Sequence, residues 1–208
     1  ARSNFMVEHK FISSLDYTTQ IFGNNDTRFS LVYVAKSGEP YSVTFDGYDD
    51  AFANDRSDGG YDAAYVPTGA SDPNVVFSSA AVADSVMAHV NSSGLASYKG
   101  QIVPRNAFNS PWIRSLDMRI TQDINVMDGH KVILYLDVTN LLNLIDDDKG
   151  VIREYSNRSR QIILDEDNPY DSQGRYNITG VDPDDGLFVY NQDGQSSYQC
   201  NLGFKYQF

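Results

Sequence analysis

Apolar and polar residues alternate with a period of two in five stretches of the chain, which predicts five β-strands with one greasy and one polar side each. In Ser196–Phe208 the apolar set is Tyr198, Cys200, Leu202, Phe204, Tyr206 and Phe208, set against Ser197, Gln199, Asn201, Gly203, Lys205 and Gln207. From residue 10 to 21, Phe11, Leu15, Tyr17 and Ile21 oppose Lys10, Ser14, Asp16, Thr18 and Gln20, with Ile12 breaking the polar side. Between 27 and 45, Phe29, Leu31, Tyr33 and Ala35 oppose Arg28, Ser30 and Lys36, and the alternation resumes after Pro40 at Tyr41, Val43 and Phe45. Over 112–126, Trp112, Leu116, Met118, Ile120, Ile124 and Val126 oppose Ser115, Asp117, Arg119, Thr121, Asp123 and Asn125. Over 131–145, Val132, Leu134, Leu136, Val138, Leu142 and Leu144 oppose Lys131, Tyr135, Asp137, Thr139 and Asn143.

The connections alternate as well. Gly23-Asn24-Asn25-Asp26 and Met127-Asp128-Gly129-His130 are tight turns, whereas 46–111 and 146–195 are long. Compact water-soluble domains rarely carry two such loops. Short turns at one end and long loops at the other are the layout of an outer-membrane barrel, with the turns periplasmic and the loops extracellular. No apolar run approaches the ~20 residues of a membrane helix, so strands are the remaining way to span. The expected fold class is therefore all-β, a transmembrane antiparallel β-barrel. Five strands cannot close one, so residues 1–208 are expected to be the C-terminal part of a larger barrel. The chain opens at Ala1 in mid-pattern with no basic-then-apolar leader, which suits a mature fragment or a later piece of a longer chain. In the first long loop, residues 74–90 predict a short helix, whose apolar content suggests that the loop folds onto itself or onto a neighbour.

Particular motifs sharpen this. Asn201, Gly203, Tyr206 and Phe208 resemble the C-terminal barrel-assembly signal of bacterial outer-membrane proteins, in which a polar residue, a glycine and two alternate hydrophobes end in Phe. Pro104-Arg105-Asn106-Ala107-Phe108-Asn109-Ser110-Pro111-Trp112, then Leu116-Asp117-Met118-Arg119-Ile120, then Leu136-Asp137-Val138-Thr139-Asn140-Leu141-Leu142-Asn143, resemble the end of a TonB-dependent outer-membrane receptor of the Oar-like group. Ser37-Gly38-Glu39-Pro40-Tyr41-Ser42 and Tyr65-Val66-Pro67 are similar to further segments of that group. The resemblance implies a barrel of about 22 strands around a plug, located in the outer membrane of a Gram-negative bacterium. It implies uptake of scarce nutrients energised through TonB by an N-terminal part absent from these residues. The implied partners are the remainder of the barrel and its plug, the barrel-assembly machinery and outer-membrane lipid.

Charge changes the picture only where it is located. The net charge of −12 lies wholly in the two long segments, −5 over 46–111 and −7 over 146–195. An acidic chain is a poor nucleic-acid binder, because phosphate contacts need cations. Asp46, Asp49, Asp50, Asp55 and Asp58 supply oxygen ligands of the kind calcium takes, and calcium is the one cofactor this chemistry admits. The spacing is not that of an EF-hand, so a solvated acidic loop stays open beside it. Asp146-Asp147-Asp148 and Asp182-Pro183-Asp184-Asp185-Gly186 are lesser candidates. His9, His89 and His130 lack metal-ligand spacing, and no nucleophile setting appears, so no catalytic residues are assigned and no enzyme is expected. The single Cys200 excludes an internal disulfide. Asp117, Arg119, Asp123 and Asp137 would form a self-satisfying charge network in the lumen. The alternative to a receptor is a secreted, soluble all-β binding module, calcium-stabilised through its acidic loops.

Overall fold

The computed structural model describes residues 2–46, 62–155, 158–182, 187–191 and 194–208, with only the backbone at 158 and 160. In chain order the strands are β1 (Lys10–Phe22), β2 (Asn25–Lys36), β3 (Pro40–Asp46), β4 (Val75–Phe77), β5 (Phe108–Asn109), β6 (Ile113–Met127), β7 (His130–Thr139), β8 (Ile152–Tyr155), β9 (Arg158–Leu164), β10 (Tyr176–Val181), β11 (Leu187–Tyr190) and β12 (Gln199–Gln207). Helix α1 spans Ala80–Ser92, followed by a 3₁₀ turn at Gly94–Tyr98, and α2 spans Leu141–Ile145. The fold is mostly β-strand, and among the described residues no helix is long and apolar enough to cross a membrane. The chain forms two units, and β8 and β11 make a small sheet of their own.

One unit is a five-stranded meander in the order β1-β2-β6-β7-β12, antiparallel throughout. Its hairpins turn at Gly23 (φ 62°) and Gly129 (φ 80°), a left-handed backbone that glycine adopts without a Cβ penalty. Residues directly opposite across a ladder share a face, so the register decides how the strand sides add up. Leu15, Leu31 and Met118 are successive partners, Met118 faces Val138, and Val138 faces Cys200. The apolar sides of all five strands therefore merge into one continuous face.

The other unit folds around a mixed sheet, β4-β10-β9-β3-β5, in which β4–β10 and β3–β9 are parallel. Its core holds Val43, Phe45, Val66, Val86, Val90, Leu95, Ile162, Leu164 and Ile178. Helix α1 starts where the Ser79 side chain accepts the Val82 N–H, an N-cap that satisfies an otherwise orphaned donor. Its buried positions Ala83, Val86 and Val90 lie on one helical face. Each buried valine side chain stabilises the unit by roughly 1.5–3 kcal/mol relative to exposure.

Three boundaries differ from the alternation pattern. Tyr41, Val43 and Phe45 do not continue the strand begun near residue 27. They belong to β3, in the mixed sheet, where Ser42 and Thr44 are buried as well. A strand with a parallel neighbour is covered on both faces, and small polar residues there imitate a solvent side. Proline cannot donate to a ladder, and before Pro40 the Ser37 hydroxyl accepts the Glu8 and His9 N–H groups (2.9 and 3.2 Å), closing the meander edge at that point. Leu142 and Leu144 do not extend a strand to 145. β7 stops at Thr139, Asn140 takes a left-handed conformation (φ 56°), and α2 follows. Asn tolerates this backbone better than most residues, and the Asp117 carboxylate accepts the Asn140 N–H at 2.8 Å. Finally, the described parts of 46–111 and 146–195 are not open loops, because they supply most of the mixed sheet, α1 and a shared core. Within 74–90, Val75–Phe77 is a strand and the helix begins at Ala80.

Candidate functional site

The meander carries the candidate site on its two faces. On the apolar face the edge strands are open to their surroundings. Leu15, Leu202 and Phe204 are 63%, 82% and 71% exposed, and Phe11, Tyr17 and Leu134 are also exposed. Among the described residues no second layer covers them. Strand β6 places two long polar side chains on this face. Gln122 sits opposite Thr27, its amide oxygen accepting the Thr27 hydroxyl and its amide nitrogen donating to the Asp123 carbonyl at 2.7 Å. Its hydrogen-bonding capacity is thus met internally, the condition for a polar group in an apolar medium. The other is Arg114, next to the far end of the sheet.

Aromatic rings mark both ends of this face. At the end away from the turns, Trp112 stacks between His9 and Phe11, with ring centroids 6.3 and 6.1 Å apart. At the turn end, His130 Nδ1 and the Tyr206 hydroxyl are hydrogen-bonded, their rings stack at 5.7 Å, and Phe208 lies 6.1 Å from Tyr206. Tyr and Trp suit positions where one end of the side chain is greasy and the other wet.

The polar face holds the charges. Arg119 grips Asp137 with two parallel hydrogen bonds, one of them at 2.6 Å, and lies over the Tyr135 ring at 5.8 Å. Lys131 pairs with Asp123 at 2.8 Å, and Ser30 donates to Asp16. A depression of about 460 Å³ opens beside Ser30, Asp117, Arg119, Asp137 and Asn201. Asp117 does not join an ion pair there, because it serves the Asn140 N–H. Gly203 lies opposite Tyr135, whose ring occupies the space a Cβ would take. Of the four assembly-signal positions, Asn201 and Gly203 fall on the polar face, and Tyr206 and Phe208 on the apolar side.

Of the candidate calcium ligands only Asp46 is within the described residues, at the end of β3; Asp49, Asp50, Asp55 and Asp58 lie outside them. Asp184 and Asp185 also lie outside. The carboxylates of Asp146, Asp147 and Asp148 converge within 4.8 Å. Cations of the chain already meet two of them, Lys149 at Asp146 (2.9 Å) and Arg153 at Asp148 (3.6 Å). The Lys149 ammonium, helped by the Asp148 N–H, holds the Asp146 carboxyl below the usual carboxylate range.

In the mixed-sheet unit the buried charge is Asp72. Burial pushes its carboxyl up, but donation from the Thr68 N–H (2.7 Å), the Asn74 N–H (2.8 Å), the Thr68 hydroxyl (2.8 Å) and the Tyr65 hydroxyl (3.0 Å) holds it below the ordinary value. Three of these donors belong to the 68–74 turn and the fourth to Tyr65 just before it, so this is a staple of the loop. Tyr41 stacks on Tyr155 at 4.3 Å, and burial, reinforced by Tyr155, raises its phenol to about 12. Such a phenol does not ionise near neutral pH.

Sequence patterning missed three of these arrangements. Arg114 and Gln122 occupy the parity of the apolar side in 112–126, and that break in the pattern is the signal that could have flagged them. The Trp112 stack depends on cross-strand register, for which local sequence carries no signal. Comparison of the chain with protein-family models, with curated proteins and with solved structures returned no match.

Proposed function

We propose that the chain is the C-terminal part of an outer-membrane β-barrel receptor of the TonB-dependent kind, with the meander as barrel wall and the mixed-sheet unit as an extracellular ligand- or partner-binding module. The observation that carries this is the register, which gathers the apolar sides of five strands onto one face with no protein layer over it among the described residues. Its dimensions suit a bilayer. From Trp112 to Ile124 the chain advances about 40 Å along the strand, and a tilt of about 45° projects this onto about 28 Å, against an apolar band of about 25 Å in such barrels. Both tight turns lie at one end, and aromatic rings flank the band at each end, as interfacial girdles do. The polar face, with its Arg119–Asp137 and Lys131–Asp123 pairs, would then line the lumen. Strands β1 and β12 would pair with barrel strands supplied beyond these residues, and Asn201, Gly203, Tyr206 and Phe208 would engage the barrel-assembly machinery.

A soluble binding module would need a second layer on the apolar face. The test is fractionation: expressed with the rest of its receptor, the chain is expected in detergent-extracted outer membranes and in a heat-modifiable band on gels. Recovery as a monomer from the aqueous phase without detergent would end this reading.

A further inference from the structure

At the end of the polar face away from the turns, a second depression, of about 330 Å³, opens where β6 starts, β7 ends and β12 starts. It adjoins the depression beside Arg119, with which it shares Asp117 and Thr139. Ser115, Asp117, Thr139 and Gln199 reach it from the polar sides of three strands, and Thr139 and Gln199 are direct partners. Elsewhere on that face the charges are spent on each other, as in Arg119–Asp137 and Lys131–Asp123. Here they are not. One Asp117 oxygen accepts the Asn140 N–H at 2.8 Å, and among the described residues the other has neither a donor nor a cationic partner. Asn140 is only 4% exposed and donates its amide nitrogen to the Gly150 carbonyl at 2.9 Å, yet its amide oxygen has no donor. A buried acceptor left unmet costs free energy, so it marks a place that an added donor completes. Gly150, with φ 65°, keeps the wall beside it free of a Cβ, which would collide with that oxygen. Arg114 lines the same depression, and its guanidinium has no acceptor among the described residues.

We propose that this depression binds a short peptide of about three residues, its α-ammonium at Asp117 and Asn140 and its terminal carboxylate at Arg114. The site rests on the receptor reading above and gives the loop end of its lumen a substrate class. An ammonium carries three donors and no acceptor, which matches the free Asp117 oxygen, the Asn140 amide oxygen and the Thr139 hydroxyl. A carboxylate is the natural bidentate partner of a guanidinium. Arg114 and Asp117 stand three residues apart on β6, about 10 Å along the strand. Three extended peptide residues span about the same length, whereas one amino acid covers about a third of it and cannot meet both. Between the two ends, Ser115 and Gln199 offer donors and acceptors to peptide groups, which carry one of each. A neutral sugar would leave both charges of the depression unpaired. Its volume lies at the small end of ligand clefts, about 300–1,000 Å³.

Calorimetric titration of the complete receptor, purified in detergent from outer membranes, tests this with trialanine, N-acetyl-trialanine, trialanine amide, alanine and maltotriose. Trialanine is expected to bind, and each cap to weaken it at least about tenfold. D117N keeps an acceptor for the Asn140 N–H but loses the charge, so it should bind free and acetylated peptide alike. R114Q should bind free and amidated peptide alike, whereas K205Q, elsewhere on the polar face, should keep both penalties. Each variant should retain the heat-modifiable band of the parent; where one does not, the capped peptides on the unsubstituted receptor decide alone. Capped peptides or alanine binding as tightly as trialanine would overturn the site, as would penalties unchanged in D117N and R114Q. Binding of maltotriose without binding of trialanine would assign the depression to hydroxyl-bearing ligands instead. No binding of trialanine by a receptor recovered from outer membranes overturns the peptide site and leaves the wall reading standing. A chain absent from that membrane overturns both.

Discussion

Replacing Gly203 by alanine is expected to destabilise the meander by about 1–3 kcal/mol, the range for overpacking a filled site. A Cβ at this position would stand 2.5 Å from Cζ of Tyr135 and 3.0 Å from its Cε2. Carbon pairs rest near 3.5 Å, so the ring has to retreat by about 1 Å. Tyr135 lies under Arg119 at 5.8 Å, already close to the ~6 Å limit of a cation–π contact worth about 0.5–1 kcal/mol at an exposed site. The retreat therefore sacrifices that contact as well as the ring's packing over the glycine. Urea unfolding of the chain in detergent micelles, run as a double-mutant cycle with Tyr135→Ala, measures this. With the ring removed, Gly203→Ala should be neutral or slightly stabilising, because glycine inside a strand is entropically unfavourable. A substitution as damaging without the ring as with it, or harmless in both backgrounds, would refute the account of Gly203 as a seat for Tyr135.

Asp72→Ala should cost about 1–3 kcal/mol by leaving buried donors at Thr68 and Asn74 unmet, with the loss read from the unfolding midpoint. Because the folded carboxyl lies below its ordinary value, Asp72 stabilises the fold fully above the unfolded pKa of about 3.9. That contribution declines as pH falls through the lower folded value. Asp72→Asn should thus flatten the acid limb of a stability–pH profile, and an unchanged limb would assign the acid sensitivity elsewhere. Ile162→Ala, at a fully buried core position, should cost about 2–5 kcal/mol and speed hydrogen exchange in β9 and β10; exchange no faster than in the parent would contradict the core assignment. Arg119→Gln, by contrast, removes a largely exposed pairing (60% exposed at the arginine) and should cost about 0–1 kcal/mol, shrinking with salt. A loss above about 2 kcal/mol would mean that the pair is shielded as a surface pair is not.

Much of the meander was legible because each of its strands keeps one apolar and one polar side. Where one side of a ribbon is greasy throughout and the other polar, a period of two survives residue by residue, as in 196–208, and over 112–126 it is interrupted only at Ile113, Arg114 and Gln122. The same rule failed at Tyr41–Phe45, because Ser42 and Thr44 are small enough to be buried and so produce alternation without a solvent face. It failed again after Thr139, where the leucines of α2 keep apolar character while Asn140 turns the backbone. Partnership was beyond reach in both units. Alternation gives Leu15 a side but not Leu31 as neighbour, and nothing near Ser42 announces residue 158, its partner in the parallel β3–β9 ladder. The mixed sheet is assembled from segments more than a hundred residues apart, and its strands are short, so local pattern leaves them looking like loop.

Strands β1 and β12 each end the meander with one row of backbone amides and carbonyls unmatched by any described neighbour. In water such rows are templates for further copies, and both here also carry bare hydrocarbon. Produced in water as residues 1–208 alone, the chain should therefore polymerise into ribbons of stacked molecules, and refolding yields should fall steeply with protein concentration. A chaperone that caps such rows would have to act before the hydrophobic sides of two molecules meet.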